Sequence, residues 1–97
     1  YCSSKGALLS GAKAMALELV KKNIRVNCIL PGVVETEMTN KMFENLSEDS
    51  KKAIIEMHPL GLGKPNDIAY ACAYLLSDVT RWVTGTNLVI DGGYSAR

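Results

Sequence analysis

Residues 24–32 read IRVNCILPG. The first seven residues of this stretch are mostly β-branched or apolar, and the Pro-Gly pair then ends the run. A short apolar run of this kind is typical of a strand that is covered on both faces inside a parallel sheet. The sequence therefore predicts a strand over residues 24–30 that lies inside a sheet rather than at its edge.

A helix is predicted on the N-terminal side of this strand. In residues 1–22 the apolar positions recur at intervals of three and four, which is the period of one helical face. Asn23 follows the last of them, and Asn tolerates the left-handed conformation that often comes after a final helical turn. We expect the helix to end there.

Two further elements with clear patterns follow the strand. Residues 64–76 begin with a Pro and an Asp in the first turn and carry one apolar face, which predicts a second helix. Residues 87–90 form a short apolar run that ends in an Asp-Gly-Gly turn, which predicts a final strand. Between residues 33 and 60 the pattern allows one or two short amphipathic helices, one of them starting at Ser47.

Two strands joined through a helix favour a parallel pair with a right-handed crossover. The predicted fold class is therefore α/β, the C-terminal part of a doubly wound parallel sheet with helices on both faces. Because the chain opens on Tyr1 rather than on Met, we expect it to be a piece of a longer protein. In that protein residues 1–97 would be half of one domain.

The composition narrows the class of partner. With 47% hydrophobic residues, 22% charged residues and a net charge of +1, the chain is neither disordered nor basic enough to indicate nucleic acid or an anionic membrane surface. The three cysteines have no CxxC spacing, which indicates neither a disulfide framework nor a metal site. No stretch reaches the length of a membrane span. We expect a cytoplasmic protein whose partners are small molecules or other proteins.

Tyr1 and Lys5 are the first candidates for chemistry. Residues four apart lie on one helical face, and an ammonium group beside a phenol stabilises the phenolate, so that such a Tyr can give or take a proton. The alternative is that both are ordinary helix-surface residues, since such pairs arise on any helix.

The end of the predicted strand carries the pattern NxxxPGxxxT, with Asn27, Pro31, Gly32 and Thr36. Open α/β sheets bind ligands at the carboxyl ends of their strands, and a Pro-Gly turn lets the backbone approach a ligand closely. Thr36 would add one donor and one acceptor. The alternative is a simple turn that ends the strand.

These elements, in this order, resemble the short-chain dehydrogenase/reductase family, particularly its members that look like 3-oxoacyl-(acyl-carrier-protein) reductases. The resemblance rests on YxxxK, NxxxPGxxxT, the helix start Pro65-x-x-Ile68-Ala69 and the final Asp-Gly-Gly, and it covers all 97 residues. It implies a Rossmann-type fold and an enzyme that transfers hydride between NAD or NADP and a carbonyl or secondary alcohol. It also implies a homodimer or homotetramer.

The resemblance also assigns roles to residues. It implies that Tyr1 is the catalytic acid or base, and that Lys5 assists it and holds the nicotinamide ribose. It implies that residues 33–60 form a substrate lid between the catalytic helix and strand of 1–32 and the last helix and strand of 61–97. The implied cofactor-binding residues are Tyr1, Lys5, Pro31, Gly32, Val34 and Thr36, and the implied apolar lid residues are Met38, Met42, Phe43 and Met57. For each Met, ordinary packing into the core is the favoured alternative.

Several parts of the family pattern are missing from these residues. The Gly-rich phosphate turn, the residue that selects NAD or NADP, and the catalytic Ser and Asn would all precede Tyr1, so we expect the 97 residues alone to be inactive. His58 has no motif partner and is interpreted as a hydrogen-bonded lid or surface residue rather than a catalytic one. Two other functions stay open: a module that senses NAD(P) without chemistry, and a module for oligomerisation.

Overall fold

A computed structural model describes residues 2–96, with side chains from residue 6 onwards. The helices are α1 (Cys2–Leu19), α2 (Glu37–Glu44), α3 (Glu48–Glu56) and α4 (Pro65–Leu76), and the strands are β1 (Cys28–Pro31) and β2 (Asn87–Ile90). Short 3-10 helices follow α1 at Val20–Lys22 and α4 at Asp78–Thr80. The chain divides into two compact units, Tyr1–Ile29 with Ala71–Leu88, and Leu30–Tyr70 with Val89–Arg97.

The first unit is built around α1, which confirms the helix predicted over residues 1–22. Its end is also as predicted, because Asn23 is left-handed at φ 59° and ψ 36° and its N–H donates to the Val20 carbonyl. Ala16 is buried on this helix, and a Cβ added at Gly85 would lie only 3.6 Å from the Ala16 methyl. Small residues on both sides therefore let the loop before β2 pass close to α1.

Arg25 holds the loops of the first unit to the end of α4. One guanidinium nitrogen donates to the Leu75 and Ser77 carbonyls at 2.9 and 3.3 Å, and the other donates to the Val83 carbonyl at 3.1 Å. Carbonyls at the end of a helix have no partner within it, so a cation that donates to them stabilises this helix end.

The prediction for the first strand is confirmed in its position but wrong in its length. The Val26 N–H donates to the Thr84 hydroxyl, and the Asn27 side chain accepts from the Thr86 N–H and donates to the Val83 carbonyl. Before β1 begins at Cys28, these side-chain bonds therefore add to one backbone bond, in which the Gly85 N–H donates to the Val26 carbonyl at 2.7 Å. Both ends of the Asn27 amide are used within the chain, and its part in a ligand-binding motif stays a prediction.

The two strands are parallel. The Cys28 N–H donates to the Thr86 carbonyl and the Gly32 N–H donates to the Ile90 carbonyl, both at 2.9 Å. A step of four residues along one strand is therefore matched by a step of four in the same direction along the other. Within the described residues the sheet has these two strands alone. Within the described residues the side chains of β1 are half-buried except for the exposed Pro31, and its place inside a wider sheet stays a prediction.

The second unit contains the two short helices that the sequence allowed between residues 33 and 60. The Ser47 hydroxyl accepts the Ser50 N–H at 3.1 Å, which confirms the predicted start of α3. The predictions for α4 and β2 are confirmed as well. Within residues 2–96, no helix has the length and apolar character needed to cross a membrane.

Candidate functional site

The two predicted catalytic residues lie at the edge of what the structure describes. Tyr1 lies outside the described residues. The backbone of Lys5 belongs to α1, and its side chain is likewise outside the description. The pairing of the phenol with the ammonium group therefore stays a prediction.

Gly32, at the predicted Pro-Gly turn, lies in close contact with Asp91 and His58. A Cβ at this position would lie 2.8 Å from the Cβ of Asp91, 2.9 Å from its Cα and 3.1 Å from Nε2 of His58. Real Cβ atoms do not approach other atoms this closely. The glycine is thus required by close packing between the ends of β1 and β2, whatever ligand comes near it.

The backbone that follows Gly32 is fixed by a second segment. The Gly63 N–H donates to the Val33 carbonyl at 3.0 Å, and the Glu35 N–H donates to the Gly63 carbonyl at 2.9 Å, which makes a parallel bridge between Val34 and Gly63. The Lys64 ammonium group also contacts the Glu35 carboxylate. Backbone hydrogen bonds to Gly63 therefore hold the segment that carries Val34, a predicted cofactor-binding residue.

A third set of contacts joins residues 58–61 to the turn after β2. The Leu60 N–H donates to the Gly92 carbonyl at 2.9 Å, and a Cβ at Gly93 would lie 3.1 Å from Pro59. Gly92 and Gly93 both have positive φ, 61° and 95°, where other residues are strained. We call residues 31–34, 58–61 and 91–95 the turn cluster.

A cavity of about 310 Å³ opens beside this turn cluster. Most of its wall is backbone and apolar side chain, with two carboxylates. It is lined by Gly32, Val33, Val34, Leu60, Gly61, Leu62, Gly63, Asp67, Ile68, Ile90, Asp91 and Gly92. The sequence had pointed to two of these residues, Gly32 and Val34. For residues 60–63 the available signal was the Gly-x-Gly pattern at 61 and 63, because glycines so placed allow a loop to approach another backbone.

Both carboxylates of the cavity accept hydrogen bonds from nearby groups. Asp67 accepts the Lys64 N–H at 2.7 Å, which starts α4. Asp91 accepts the Ser95 hydroxyl at 2.6 Å and the N–H groups of Gly93 and Ser95 at 3.1 Å. The Ser95 hydroxyl above all, together with these N–H groups, holds the pKa of Asp91 below its usual value, although burial of the carboxyl acts in the opposite direction. The cavity therefore has a negative wall, which disfavours a phosphate.

Thr36 lies at the start of α2. Its hydroxyl accepts the Thr39 N–H at 3.2 Å, and the Thr39 hydroxyl donates to the Val34 carbonyl at 2.7 Å. The Thr thus caps the first lid helix, and the helix is tied to the backbone after Gly32. Its role toward a cofactor stays a prediction, as does that of Pro31, the exposed last residue of β1.

The predicted lid residues are more exposed than core packing would leave them. Met38 is 74% exposed and Met42 59%, and they lie four residues apart on one face of α2. Met57 is also largely exposed, while Phe43 is half-buried. Within the described residues Met38 and Met42 are thus not packed into a core, and both their lid role and the alternative of ordinary packing stay predictions for the full enzyme.

His58 is confirmed as a hydrogen-bonded residue. It is 4% exposed, and its ring nitrogens lie 3.2 Å from the Val33 nitrogen and 2.9 Å from the Ile54 carbonyl oxygen. Its ring also faces that of Tyr94, with centroids 5.0 Å apart. The side chain thus touches three segments of the second unit.

Comparison with known proteins identifies the family. The family model described as enoyl-(acyl carrier protein) reductase matches residues 1–95. The chain belongs to the short-chain dehydrogenase/reductase family. The fold prediction is confirmed with it, since the similar solved structures are Rossmann-fold dehydrogenases of this family.

Individual members of the family resemble the chain over its whole length. The 3-oxoacyl-(acyl-carrier-protein) reductase FabG of Chlamydia trachomatis is 40% identical over 94 residues, which are 96% of this chain and 36% of that protein. The NAD-dependent glycerol dehydrogenase of Listeria innocua is 40% identical over 99 residues, covering 100% of this chain and 37% of that protein. The chain thus spans little more than a third of these relatives.

Solved structures of dehydrogenases are also similar to the chain. A 4-hydroxyisoleucine dehydrogenase complexed with NADH matches with a TM-score of 0.88 and 45% identity, over 100% of this chain and 40% of that one. A putative 2-deoxy-D-gluconate 3-dehydrogenase of Agrobacterium tumefaciens with bound NADP matches with a TM-score of 0.87 and 37% identity, over 100% of this chain and 39% of that one. In the described part of the chain, no three His, Cys, Asp or Glu side chains are grouped so that they could hold a metal ion.

Proposed function

We propose that this chain supplies the catalytic helix, the nicotinamide end of the cofactor site and the substrate lid of a cytoplasmic NAD(P)(H)-dependent oxidoreductase. The observation that carries the proposal is the family match over residues 1–95, which spans both Tyr1 and Lys5 at the YxxxK spacing. Relatives named as reductases and dehydrogenases, and structures with NADH or NADP bound, support the cofactor class.

The turn cluster fits one end of the cofactor better than the other. Its cavity is walled by backbone, apolar side chains and the carboxylates of Asp67 and Asp91. A negative wall repels a diphosphate but tolerates a nicotinamide ring, which is neutral when reduced and positive when oxidised. The backbone of residues 32–34 is also held rigidly, as positioning of a reacting ring requires. We therefore place the nicotinamide end here, and the phosphate site in the part of the enzyme that the relatives possess beyond this chain.

The proton chemistry would belong to α1. Bound nicotinamide would supply or accept the hydride. In the direction of reduction the Tyr1 phenol would donate a proton to the substrate oxygen, and in oxidation its phenolate would take one back. The Lys5 ammonium group would stabilise that phenolate and hold a ribose hydroxyl.

The substrate is proposed to be a carbonyl compound or secondary alcohol with an apolar part, such as a 3-oxoacyl group. The exposed Met38 and Met42 on α2 support this, because apolar and flexible side chains facing outward suit a surface that closes on an apolar substrate. We also propose a homodimer or homotetramer. This proposal is supported by large apolar side chains on the surface of the first unit, such as Trp82, which is 90% exposed. Contacts with a second subunit would remove such side chains from water.

The test of the proposed function is Tyr1→Phe in the full-length enzyme. Loss of the proton donor should lower turnover by about 100-fold or more, because general acid catalysis contributes about 10²–10⁴-fold. The affinity for NADH or NADPH should stay within about twofold, since little else changes. The matched control is Tyr70→Phe, which removes the same hydroxyl from an exposed position on α4 and should leave both quantities unchanged. Near-normal turnover in Tyr1→Phe would reject the assigned chemistry.

A further inference from the structure

His58 is a buried titratable group that the proposed chemistry does not use. It is the one His of the chain and follows directly after α3 and its C-cap, Met57. A backbone N–H can only donate and a carbonyl can only accept. Nε2 must therefore be the unprotonated acceptor of the Val33 N–H, and Nδ1 must carry the proton that it donates to the Ile54 carbonyl. The two contacts select one neutral tautomer of the ring.

The ring ties the end of the lid to the wall of the cavity. Ile54 belongs to α3, whereas Val33 directly follows Gly32 and lines the cavity. The ring also packs against Gly32, where a Cβ would lie 3.1 Å from Nε2. The Val33 N–H has Nε2 as its partner in the structure, so the orientation of this peptide depends on the acceptor that His58 provides.

We propose that His58 is a positioning residue of the nicotinamide site: in its neutral form it holds the peptide of Val33, and protonation of Nε2 releases that peptide and weakens cofactor binding. This inference rests on the proposed function, which places the nicotinamide end beside residues 32–34. It concerns a side chain that touches neither the substrate nor the cofactor in that arrangement, and it adds a pH-sensitive link between the lid and the cofactor wall.

Protonation would act through the contacts that surround the ring. A proton on Nε2 would turn the acceptor into a donor that faces another donor, the Val33 N–H, so the hydrogen bond would be lost. Near the ring lie the Asp91 carboxylate and the Tyr94 phenol, both from the turn after β2, and α3 contributes the Ile54 carbonyl. The end of β1 contributes only backbone there. The Asp91 carboxylate would attract the protonated ring and pull it away from the position that the neutral ring occupies.

The choice of variants follows from the geometry. In His58→Gln the amide oxygen can take the place of Nε2 as acceptor, and the group does not titrate. In His58→Leu the volume is roughly kept but the acceptor is lost, so the part-buried Val33 N–H loses the partner that it has in the structure. The pair separates the hydrogen bond from the packing.

The experiment measures the dissociation constants of NADH and NADPH by fluorescence between pH 5 and 8, in the full-length enzyme and in both variants. Histidine is the side chain that ordinarily changes charge in this range. For the better-bound cofactor, the wild type should lose about tenfold in affinity toward pH 5, the size expected for one hydrogen bond. His58→Gln should bind the cofactor within about threefold of the wild type at pH 8. Its affinity should not show the tenfold decrease toward pH 5 that is expected of the wild type. His58→Leu should bind about tenfold more weakly at pH 8.

Each result decides the matter. An unchanged pH profile in His58→Gln overturns the inference, and so does normal affinity in a folded His58→Leu. Should His58→Leu fail to fold, the profile of His58→Gln decides alone. A wild type that binds cofactor equally well at every pH overturns the role of His58 and leaves the proposed function intact. A wild type that binds neither cofactor at any pH, with Tyr1→Phe as active as wild type, overturns both.

Discussion

The turn cluster and the two helices of the proposed lid, α2 and α3, lie in the same unit but are built in opposite ways. The turn cluster joins three segments that are distant in the sequence, through glycines in close contact and backbone hydrogen bonds such as Leu60 N–H to Gly92 O. Helices α2 and α3 are capped by their own residues, Thr36 and Ser47, and none of their residues, all of which the structure describes, is buried. The closely packed turn cluster is thus formed by segments on either side of two helices that bury none of their residues.

This difference suits the proposed function. Hydride transfer needs the nicotinamide at a fixed position, because a small displacement is costly. A cover over the substrate must open and adapt, and segments with few buried contacts open at low free energy. Substitutions in the turn cluster should therefore affect stability, whereas those in the lid helices should affect which substrates are used.

The largest effect is expected for Gly32→Ala in the full-length enzyme. The added methyl would meet the backbone and Cβ of Asp91 at 2.9 and 2.8 Å, and neither can move without displacing the turn after β2. We expect the free energy of unfolding to fall by about 3 kcal/mol, at the upper end for overpacking. Urea unfolding measures it.

The control for this variant is Gly63→Ala, in the same unit. A Cβ at Gly63 would meet its nearest atom at 3.6 Å, an ordinary contact. The change in unfolding free energy should stay below about 1 kcal/mol. Equal losses in the two variants would mean that the close approach at Gly32 is not what fixes the turn cluster.

A smaller effect is expected for Ser47→Ala at the start of α3. The variant removes the hydroxyl that accepts the Ser50 N–H, so stability should fall by about 1 kcal/mol. Ser10→Ala, at an exposed position within α1, removes the same hydroxyl where Ala is the better helix former and should cause no loss. A loss in Ser10→Ala as large as that in Ser47→Ala would contradict the capping role.

The same contrast explains what could be predicted from the sequence. The lid helices were predictable because caps such as Ser47 and the apolar periodicity are local signals. Gly32 was predicted as a site residue, but its partner Asp91 is 59 positions away and no local pattern names it. The shortening of β1 had the same cause, since Asn27 pairs with Val83 and Thr86. Contacts across such distances depend on how the elements pack, which one sequence does not state.

A change with pH is expected from Asp91 in the turn cluster. The Ser95 hydroxyl and nearby N–H groups lower the pKa of its carboxyl in the folded state from the ordinary 3.8. The charged form is thus favoured by folding: the contribution is present above about pH 4 and is lost as the pH falls through the lowered pKa. The stability difference between wild type and Asp91→Asn should therefore shrink as urea unfolding is measured from pH 6 down to pH 3.

The control for Asp91 is Asp49→Asn, an exposed carboxylate on α3. The stability difference between wild type and this variant should change less over the same range of pH. A difference that stays constant for Asp91→Asn would show that the hydrogen bonds of the turn cluster do not favour its charged form.

The smallest effect on stability, and the sharpest test of the contrast, is expected for Met42→Ala on α2. The side chain is 59% exposed, so the free energy of unfolding should change by no more than about 0.5 kcal/mol. If this face closes on the apolar part of a substrate, the loss of contact should lower kcat/KM for long 3-oxoacyl substrates by about 10-fold, and much less for short ones, because one buried apolar contact is worth about 1–3 kcal/mol in discrimination. Val79→Ala is the control, since Val79 is an apolar residue of the other unit that is 80% exposed, and its loss should leave the ranking of substrates unchanged. Equal losses of kcat/KM for long and short substrates in Met42→Ala would assign the exposed methionines to general packing in the full enzyme and remove α2 from the substrate site.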